Sequence, residues 1–95
     1  MVATVTSLGA AIEMIPDGAS IMVGGFLGVG TPGRLIHELV RQRRGHLTVI
    51  ANDSARPRQG IGELIDEKLV RKLIVSHIGT NSETQRQLMA GEIEV

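Results

Sequence analysis

Apolar residues recur at helical spacing in three stretches of the chain, capping residues indicate a fourth helix, and short apolar runs lie between these stretches. The predicted helices cover residues 8–15, 32–44, 63–69 and 81–90, and the predicted strands cover residues 19–23, 46–51 and 72–78. The strands are too short and too apolar for a half-exposed sheet, which predicts that they are buried on both faces. The order is therefore helix, strand, helix, strand, helix, strand, helix.

Capping signals mark several of these boundaries. Thr6 or Ser7 is expected to cap the first helix. Thr31 is expected to cap the second, with Pro32 at its first position, because proline lacks the N–H that would have no helical partner there. Thr80 has the capping-box distance to a glutamate three positions on, and a glycine ends that last helix.

Alternating helices and strands predict an α/β fold, a parallel sheet wound with helices. Residues 92–95 alternate like the opening of another strand, so we expect the 95 residues to be the N-terminal part of one domain that the chain does not complete. Ligands of open parallel sheets bind beyond the carboxyl ends of the strands. The loops at residues 24–31, 52–54 and 77–81 are therefore expected to meet at one edge.

Composition excludes several classes of function. Ten basic and ten acidic residues give a formal net charge of zero, and one aromatic residue, Phe26, provides no stacking surface, so nucleic-acid binding is disfavoured. The absence of cysteine excludes disulfides, thiolate metal sites and a cysteine nucleophile. No apolar run reaches about 18 residues and the first residues do not resemble a signal peptide, which predicts a cytoplasmic protein without membrane association.

Residues 28–33 match the dinucleotide-binding pattern of three glycines at the start of a helix, and Asp53 follows at the distance of a ribose-binding acid. Two features count against a dinucleotide site. Four residues separate the pattern from the preceding strand, and Pro32 removes one N–H donor that a pyrophosphate would use. A half of a nicotinamide-dependent dehydrogenase remains an alternative interpretation.

A longer stretch resembles a known family. The matching positions are Asp17-Gly18, Ile21-Met22-Val23, Gly24-Gly25-Phe26, Gly30 and Pro32, with further similarity at residues 47–53, 60–62 and 76–81. They resemble the first signature of the family I coenzyme A transferases, and the similarity extends over the chain to the α subunits of acetate/acetoacetate CoA-transferases. Chance agreement at all the fixed positions is on the order of one in a billion per starting point, given average glycine and proline usage.

The resemblance implies an enzyme that moves coenzyme A between a short-chain acyl-CoA and a carboxylic acid through a glutamyl-CoA thioester. In this family the glutamate belongs to a β subunit, and its motif is absent here, so the resemblance implies no catalytic residue in this chain. It implies a β-subunit partner in an α2β2 heterotetramer, CoA as a substrate and no permanently bound cofactor. The implied CoA-binding residues are Gly24, Gly25, Phe26, Leu27, Gly28, Val29 and Gly30.

Simpler roles compete with these. A glycine-rich turn can be a close backbone crossing, and Phe26 is expected to be a core residue that holds the loop. Asn52 and Asp53 can hydrogen-bond their own turn as well as a ligand. His77 is expected to bond a backbone carbonyl, and the histidines lack metal-ligand spacing. Arg56 and Arg58 are expected in a solvated loop, and a non-catalytic scaffold of the same fold stays open.

Overall fold

The computed structural model describes residues 3–95, which form seven regular elements in the predicted order. The helices are α1 (Leu8–Glu13), α2 (Gly33–Arg41), α3 (Gly62–Asp66) and α4 (Ser82–Met89). The strands are β1 (Ser20–Met22), β2 (Leu47–Ile50) and β3 (Val70–Ile74). The strands pair in parallel in the order β1-β2-β3, which confirms the predicted α/β class.

The two faces of the sheet are covered unequally. Ile21, Val49 and Leu73 lie opposite one another across the strands, and the last two are 0% and 1% exposed. The next cross-strand row points to the other face, because side chains alternate along a strand. In that row Met22 is 80% exposed and Ile74 is 46% exposed. The prediction that the strands are buried on both faces is therefore wrong for the described part of the chain.

Chain connectivity explains this asymmetry. The β1-α2-β2 and β2-α3-β3 crossovers step across the sheet in one direction, so right-handed connections place both helices on the same face. α2 packs against α1 and α3, and α3 packs against α4. These helices cover the face that carries Val49 and Leu73.

Several element boundaries differ from the predicted ones. β3 begins at Val70, two residues before its predicted start, because α3 already ends at Asp66 and Lys68 turns the chain with a φ of 56°. This places Leu69 beside the sheet, where its carbonyl accepts a hydrogen bond from Leu47 N at 2.9 Å. The tertiary pairing of β3 with β2 thus overrides the helical spacing of the leucines.

Two predicted caps are also displaced by one residue. Pro32 takes the cap position of α2, while the Thr31 hydroxyl donates to the carbonyl oxygen of Gly24 at 3.1 Å. Asn81 takes the cap position of α4, while the Thr80 hydroxyl donates to Ala55 O at 2.8 Å. Both threonines therefore tie loops together instead of capping helices. Ser7 caps α1 as expected and accepts from Ala10 N.

The last residues extend the sheet pairing, as their alternation predicts. Glu94 forms a parallel bridge with Lys72. Leu73 N donates to Glu94 O at 2.8 Å, and Glu94 N donates to Arg71 O at 3.0 Å. Ile93 beside it is only 5% exposed and belongs to the core.

A buried polar network joins α4 to the loop after β2. Asn81 is fully buried; its side-chain oxygen accepts from two N–H groups at the start of α4, and its amide nitrogen donates to Ser54 O at 2.7 Å. The Thr84 hydroxyl donates to Ser54 Oγ at 3.1 Å, and Gln87 Nε2 donates to Ile65 O at 2.8 Å. Because each group has a partner, the network holds the β2 loop in place instead of destabilising the core.

Replacing Asn81 by alanine removes a helix cap and leaves Ser54 O without its buried donor. We expect Asn81→Ala to lower the free energy of unfolding by about 2 to 3 kcal/mol. Ser82→Ala is the control, since Ser82 is exposed at the adjacent position and should change stability by less than about 0.5 kcal/mol. Urea unfolding followed by circular dichroism measures both, and equal midpoints for the two variants would contradict the role of Asn81.

Glu38 makes the contact between α1 and α2 sensitive to acid. Hydrogen bonds from Arg41 and Gln42 lower the pKa of the Glu38 carboxyl from 4.5 to about 2. Gln42 also donates to Gly9 O in α1 at 3.0 Å, and the Glu38 residue is only 7% exposed. A carboxyl with a lowered pKa in the folded state stabilises the fold above its unfolded pKa, and this stabilisation is lost as the pH falls toward 2.

Glu38→Gln should therefore lower the melting temperature at pH 7, and its difference from the unmodified chain should shrink between pH 5 and about pH 2. The variant will still lose stability in acid, because Arg86 and Gln87 also lower the pKa of Glu83 to about 2. Thermal melting of both proteins across this range provides the comparison. A difference that stays constant down to pH 2 would show that Glu38 does not act through its charge.

Candidate functional site

The three strands end at one edge of the sheet, as the parallel order predicts. Val23 N donates to Ile50 O at 2.9 Å and Ala51 N donates to Ile74 O at 3.0 Å, so each strand stops level with its neighbour. Past the strands, Asp53 and His77 form an isolated parallel bridge. The loops that follow the three strands therefore start side by side.

The glycine segment after β1 is folded as a small hairpin, which we define as the glycine hairpin, residues 24–30. Phe26 N donates to Val29 O and Val29 N donates to Phe26 O, both at 2.9 Å. The two residues between them, Leu27 and Gly28, have φ angles of 52° and 84°. Positive φ at both central positions is typical of a type I′ turn, the tightest connection of two antiparallel segments.

Leucine rarely adopts a positive φ, since its Cβ crowds the following carbonyl at a cost of about 1 to 2 kcal/mol. Contacts from the loop after β2 hold the hairpin in this conformation. Leu27 N donates to both carboxylate oxygens of Asp53 at 3.3 Å, and Asn52 Nδ2 donates to Gly25 O at 2.7 Å. Leu27 and Gly25 flank Phe26, so the loop after β2 forms hydrogen bonds to the hairpin on either side of that residue.

The glycines of the hairpin serve different purposes. At Gly25 a Cβ would collide with the Thr31 hydroxyl and would lie 2.9 Å from both Thr31 N and Val29 O, so only glycine fits. Gly28 packs against the loop at Gly60, where a Cβ would come within 3.0 Å of the Gly28 Cα. The approach of Gly28 to Gly60 fits the interpretation of a close backbone crossing, whereas the crowding at Gly25 comes from Thr31 and Val29 of the same segment. A Cβ at Gly24, in contrast, would meet nothing within 4 Å.

Some backbone donors of the hairpin are used and others are not. The N–H groups of Phe26, Leu27 and Val29 all donate within the protein. Among residues 3–95, no hydrogen bond involves the N–H groups of Gly24, Gly25, Gly28 or Gly30. These remaining donors lie next to the strand ends, where they can donate hydrogen bonds to a ligand oxygen.

The expectation that Phe26 is a core residue is wrong. Phe26 is 55% exposed and Val29 is 78% exposed, because the tight turn carries both beyond the sheet edge. The Phe26 ring meets the His77 ring edge-on, with centroids 6.3 Å apart and an angle of 68°. His77 thus contacts the glycine hairpin, and no described residue hydrogen-bonds its ring.

Asp53 is held inside the protein. It is 4% exposed and, besides Leu27 N, accepts from Ala55 N at 2.8 Å, so it does bond its own turn. Because the Asp53 carboxylate is bound by these N–H groups, it does not serve as the ribose-binding acid of a dinucleotide site. The glycine pattern at residues 28–33 does not fit such a site either, since it starts six positions after β1 ends at Met22.

Two arginines lie in the loop that packs against Gly28. Arg56 and Arg58 are both exposed, as expected for a solvated loop, and Arg58 N donates to the Asp66 carboxylate at 2.7 Å. A groove of about 400 Å³ is lined by Met22, Val23, Gly24, Ile50, Ala51 and Asn52. The first residue of the glycine hairpin therefore borders a largely apolar groove.

Residues 3–95 contain no group of three or more histidine, aspartate or glutamate side chains that could hold a metal ion. His37 is instead paired with the Glu63 carboxylate at 2.7 Å, which links α2 to α3. None of the described helices has the length and apolar character needed to cross a membrane.

Two features of the site had no clear signal in the sequence. The turn at Leu27-Gly28 could not be predicted from the sequence, because its first position holds leucine in place of the usual asparagine or glycine. The buried network of Asn81 and Ser54 is hidden because both residues are common in exposed turns. The preference of asparagine for helix caps is the one signal that identifies Asn81.

The glycine hairpin lies at the carboxyl edge of the parallel sheet of an α/β protein, the edge at which ligands of open parallel sheets bind. Comparison with known proteins identifies the family: the Coenzyme A transferase family model matches residues 5–95. The chain belongs to this family, which confirms the resemblance of its signature.

Individual relatives agree with this assignment. "Acetate CoA-transferase subunit alpha" of Escherichia coli is 54% identical over 79 residues, which cover 83% of this chain and 36% of the relative. "Acetoacetyl-CoA:acetate/butyrate CoA transferase alpha subunit" of Clostridium acetobutylicum is 49% identical over 79 residues, with the same coverage of 83% and 36%. The chain therefore spans slightly more than a third of the length of these relatives.

A solved structure shares the fold. A variant of the decarboxylase AibA/AibB superposes with a TM-score of 0.75 at 25% sequence identity, covering 94% of this chain and 36% of the other. This part of the decarboxylase thus shares the fold of a chain that belongs to the Coenzyme A transferase family, so the fold alone does not specify the reaction.

Proposed function

We propose that this chain forms part of the α subunit of a coenzyme A transferase, which moves CoA between a short-chain acyl-CoA and a carboxylic acid. Acetate, acetoacetate and other 3-oxo or short-chain fatty acids are the proposed acids. One observation carries the proposal: the glycine hairpin stands at the strand-end edge with unused N–H groups and an open Gly24. The relatives named as acetate and acetoacetyl-CoA transferase α subunits support the choice of substrates.

The proposed CoA-binding residues are those of the glycine hairpin, Gly24, Gly25, Phe26, Leu27, Gly28, Val29 and Gly30. Exchange of a thioester passes through tetrahedral intermediates that carry an oxyanion, and one backbone donor aimed at such a charge contributes about 2.7 to 4 kcal/mol in comparable reactions. The candidate donors are the four glycines whose N–H groups have no partner among residues 3–95, namely Gly24, Gly25, Gly28 and Gly30. Gly24 also leaves room for a substrate to approach the backbone.

The nucleophile of this reaction is not assigned to the chain. We place the glutamyl-CoA thioester on a β subunit, paired with this chain in an α2β2 heterotetramer. The relatives' designation as α subunits supports a second kind of subunit. CoA enters and leaves as a substrate, so the proposal includes no permanently bound cofactor, and it places the enzyme in the cytoplasm because a highly charged substrate does not cross a lipid bilayer unaided.

Isotope exchange tests the proposed reaction. The full gene product, expressed with and without a β subunit, is incubated with acetyl-CoA and labelled acetate. We expect label to enter acetyl-CoA only when both subunits are present, because the glutamate comes from the partner. Absence of exchange in the pair would contradict the transferase. Release of carbon dioxide from a carboxylic substrate would then indicate a decarboxylase, and no reaction at all would indicate a non-catalytic scaffold.

Gly24 separates a functional role of the hairpin from a structural one. A methyl group there meets nothing within 4 Å in the protein, so Gly24→Ala should leave the melting temperature within about 2 °C of the unmodified enzyme. If CoA approaches this backbone, the same methyl should lower the exchange rate at least about tenfold, a barrier increase of roughly 1.4 kcal/mol.

Gly9→Ala in α1 is the matched control, since a Cβ at Gly9 makes only ordinary contacts of 3.5 Å or more, on a helix away from the strand ends. It should keep both stability and exchange. Gly25 is unsuitable for the test, because a Cβ there collides with Thr31 and Val29 O whether or not a substrate binds. Full activity of Gly24→Ala would show that the substrate does not approach the hairpin at this residue.

A further inference from the structure

The residues that hold the glycine hairpin do not belong to it. Asn52 and Asp53 are adjacent in the chain, directly after β2, and they contact peptide groups on either side of Phe26. Asn52 donates to the carbonyl of Gly25, and Asp53 accepts from the N–H of Leu27. One residue supplies a donor and the other an acceptor, so together they determine the orientation of both peptide planes.

Asp53 is anchored independently of the hairpin. Its Oδ2 atom accepts from Ala55 N at 2.8 Å, and Ala55 itself is 2% exposed with a φ of 57°. The neighbouring Ser54 is held by Asn81 and Thr84 of α4. The Asp53 carboxylate is thus attached to the core on one side and to the hairpin on the other.

We infer that Asn52 and Asp53 are positioning residues, which fix the glycine hairpin in the geometry that aims its free N–H groups at the substrate. This inference rests on the proposed transferase function and assigns neither residue a contact with the reacting atoms. Loss of either contact frees the peptide groups beside Phe26, and Leu27 can then leave its unfavourable positive φ. The transition state requires the oriented donors, whereas much of the binding energy of CoA comes from its remote parts.

The variants are chosen to loosen the hairpin without emptying the core. Asp53→Asn keeps the shape of the side chain and the oxygen that accepts from both Ala55 N and Leu27 N, but it replaces the second acceptor of Leu27 N, the Oδ1 atom, by an NH₂ group. Asn52→Ala removes the donor to Gly25 O at an exposed position, where water can solvate the freed carbonyl. Asp17→Asn is the matched control. The Asp17 carboxylate also accepts a hydrogen bond from a backbone N–H, that of Gly45, at 2.9 Å. This contact lies at the opposite end of the strands.

Amide hydrogen exchange gives a readout that does not depend on activity. In the assembled enzyme the Leu27 amide should exchange about tenfold faster in Asp53→Asn, since one of its two acceptors becomes an NH₂ group and the remaining oxygen is no longer charged. Amides of the core strand β2, such as Val49, should exchange as before in Asp53→Asn and in Asn52→Ala. A merely structural role would speed exchange in β2 as well, and Asp17→Asn should leave Leu27 unchanged.

Steady-state kinetics of the same variants, normalised to folded enzyme, completes the test. Asn52→Ala and Asp53→Asn should lower kcat at least about tenfold and change KM for CoA less than threefold. Unchanged Leu27 exchange, or faster Leu27 exchange with an unaltered kcat, would overturn the positioning role. If the unmodified pair of subunits does not catalyse CoA exchange, the proposed function is wrong, and so is the catalytic role of Asn52 and Asp53. Amide hydrogen exchange still decides independently whether these two residues hold the hairpin.

Discussion

The candidate site depends on the hydrogen bonds that Asn52 and Asp53 form with the glycine hairpin. A segment this rich in glycine loses more backbone entropy on ordering than any other, so it keeps one shape only when outside groups hold it. The parallel register supplies those groups, because it brings the end of β2 level with the end of β1. A shift of the register by one residue would remove both hydrogen bonds together.

Contacts with α4 and with the loop at Gly60 hold this edge of the sheet in place. The buried network of Ser54, Asn81 and Thr84 connects the β2 loop to α4, and the backbone of Gly60 packs against Gly28. Buried polar groups of this kind are costly unless every one has a partner, and here they have partners. The fold thus uses its least flexible polar contacts where the glycine hairpin would otherwise be most mobile.

Much of the fold and part of the site could be predicted from the sequence. The order of elements and the gathering of three loops at one edge follow from apolar spacing and the rules of parallel sheets. The start of β3 at Val70 could not, because pairing with β2 prevails over the helical spacing of the leucines. The exposure of Phe26 is a second failure, since a lone aromatic residue is expected in a core and here a tight turn carries it outward.

The sequence by itself determined the family, the parallel α/β class and the location of the glycine segment, because these depend on residue types at fixed spacing. Only the tertiary structure decided which glycines are sterically required, which backbone N–H groups remain free, and that Asp53 holds the hairpin from inside the protein. The physical reason is that steric fit, exposure and hydrogen-bond partners arise between segments distant in the chain. Leu27 and Asp53 are 26 positions apart in the sequence, and no local pattern indicates their contact.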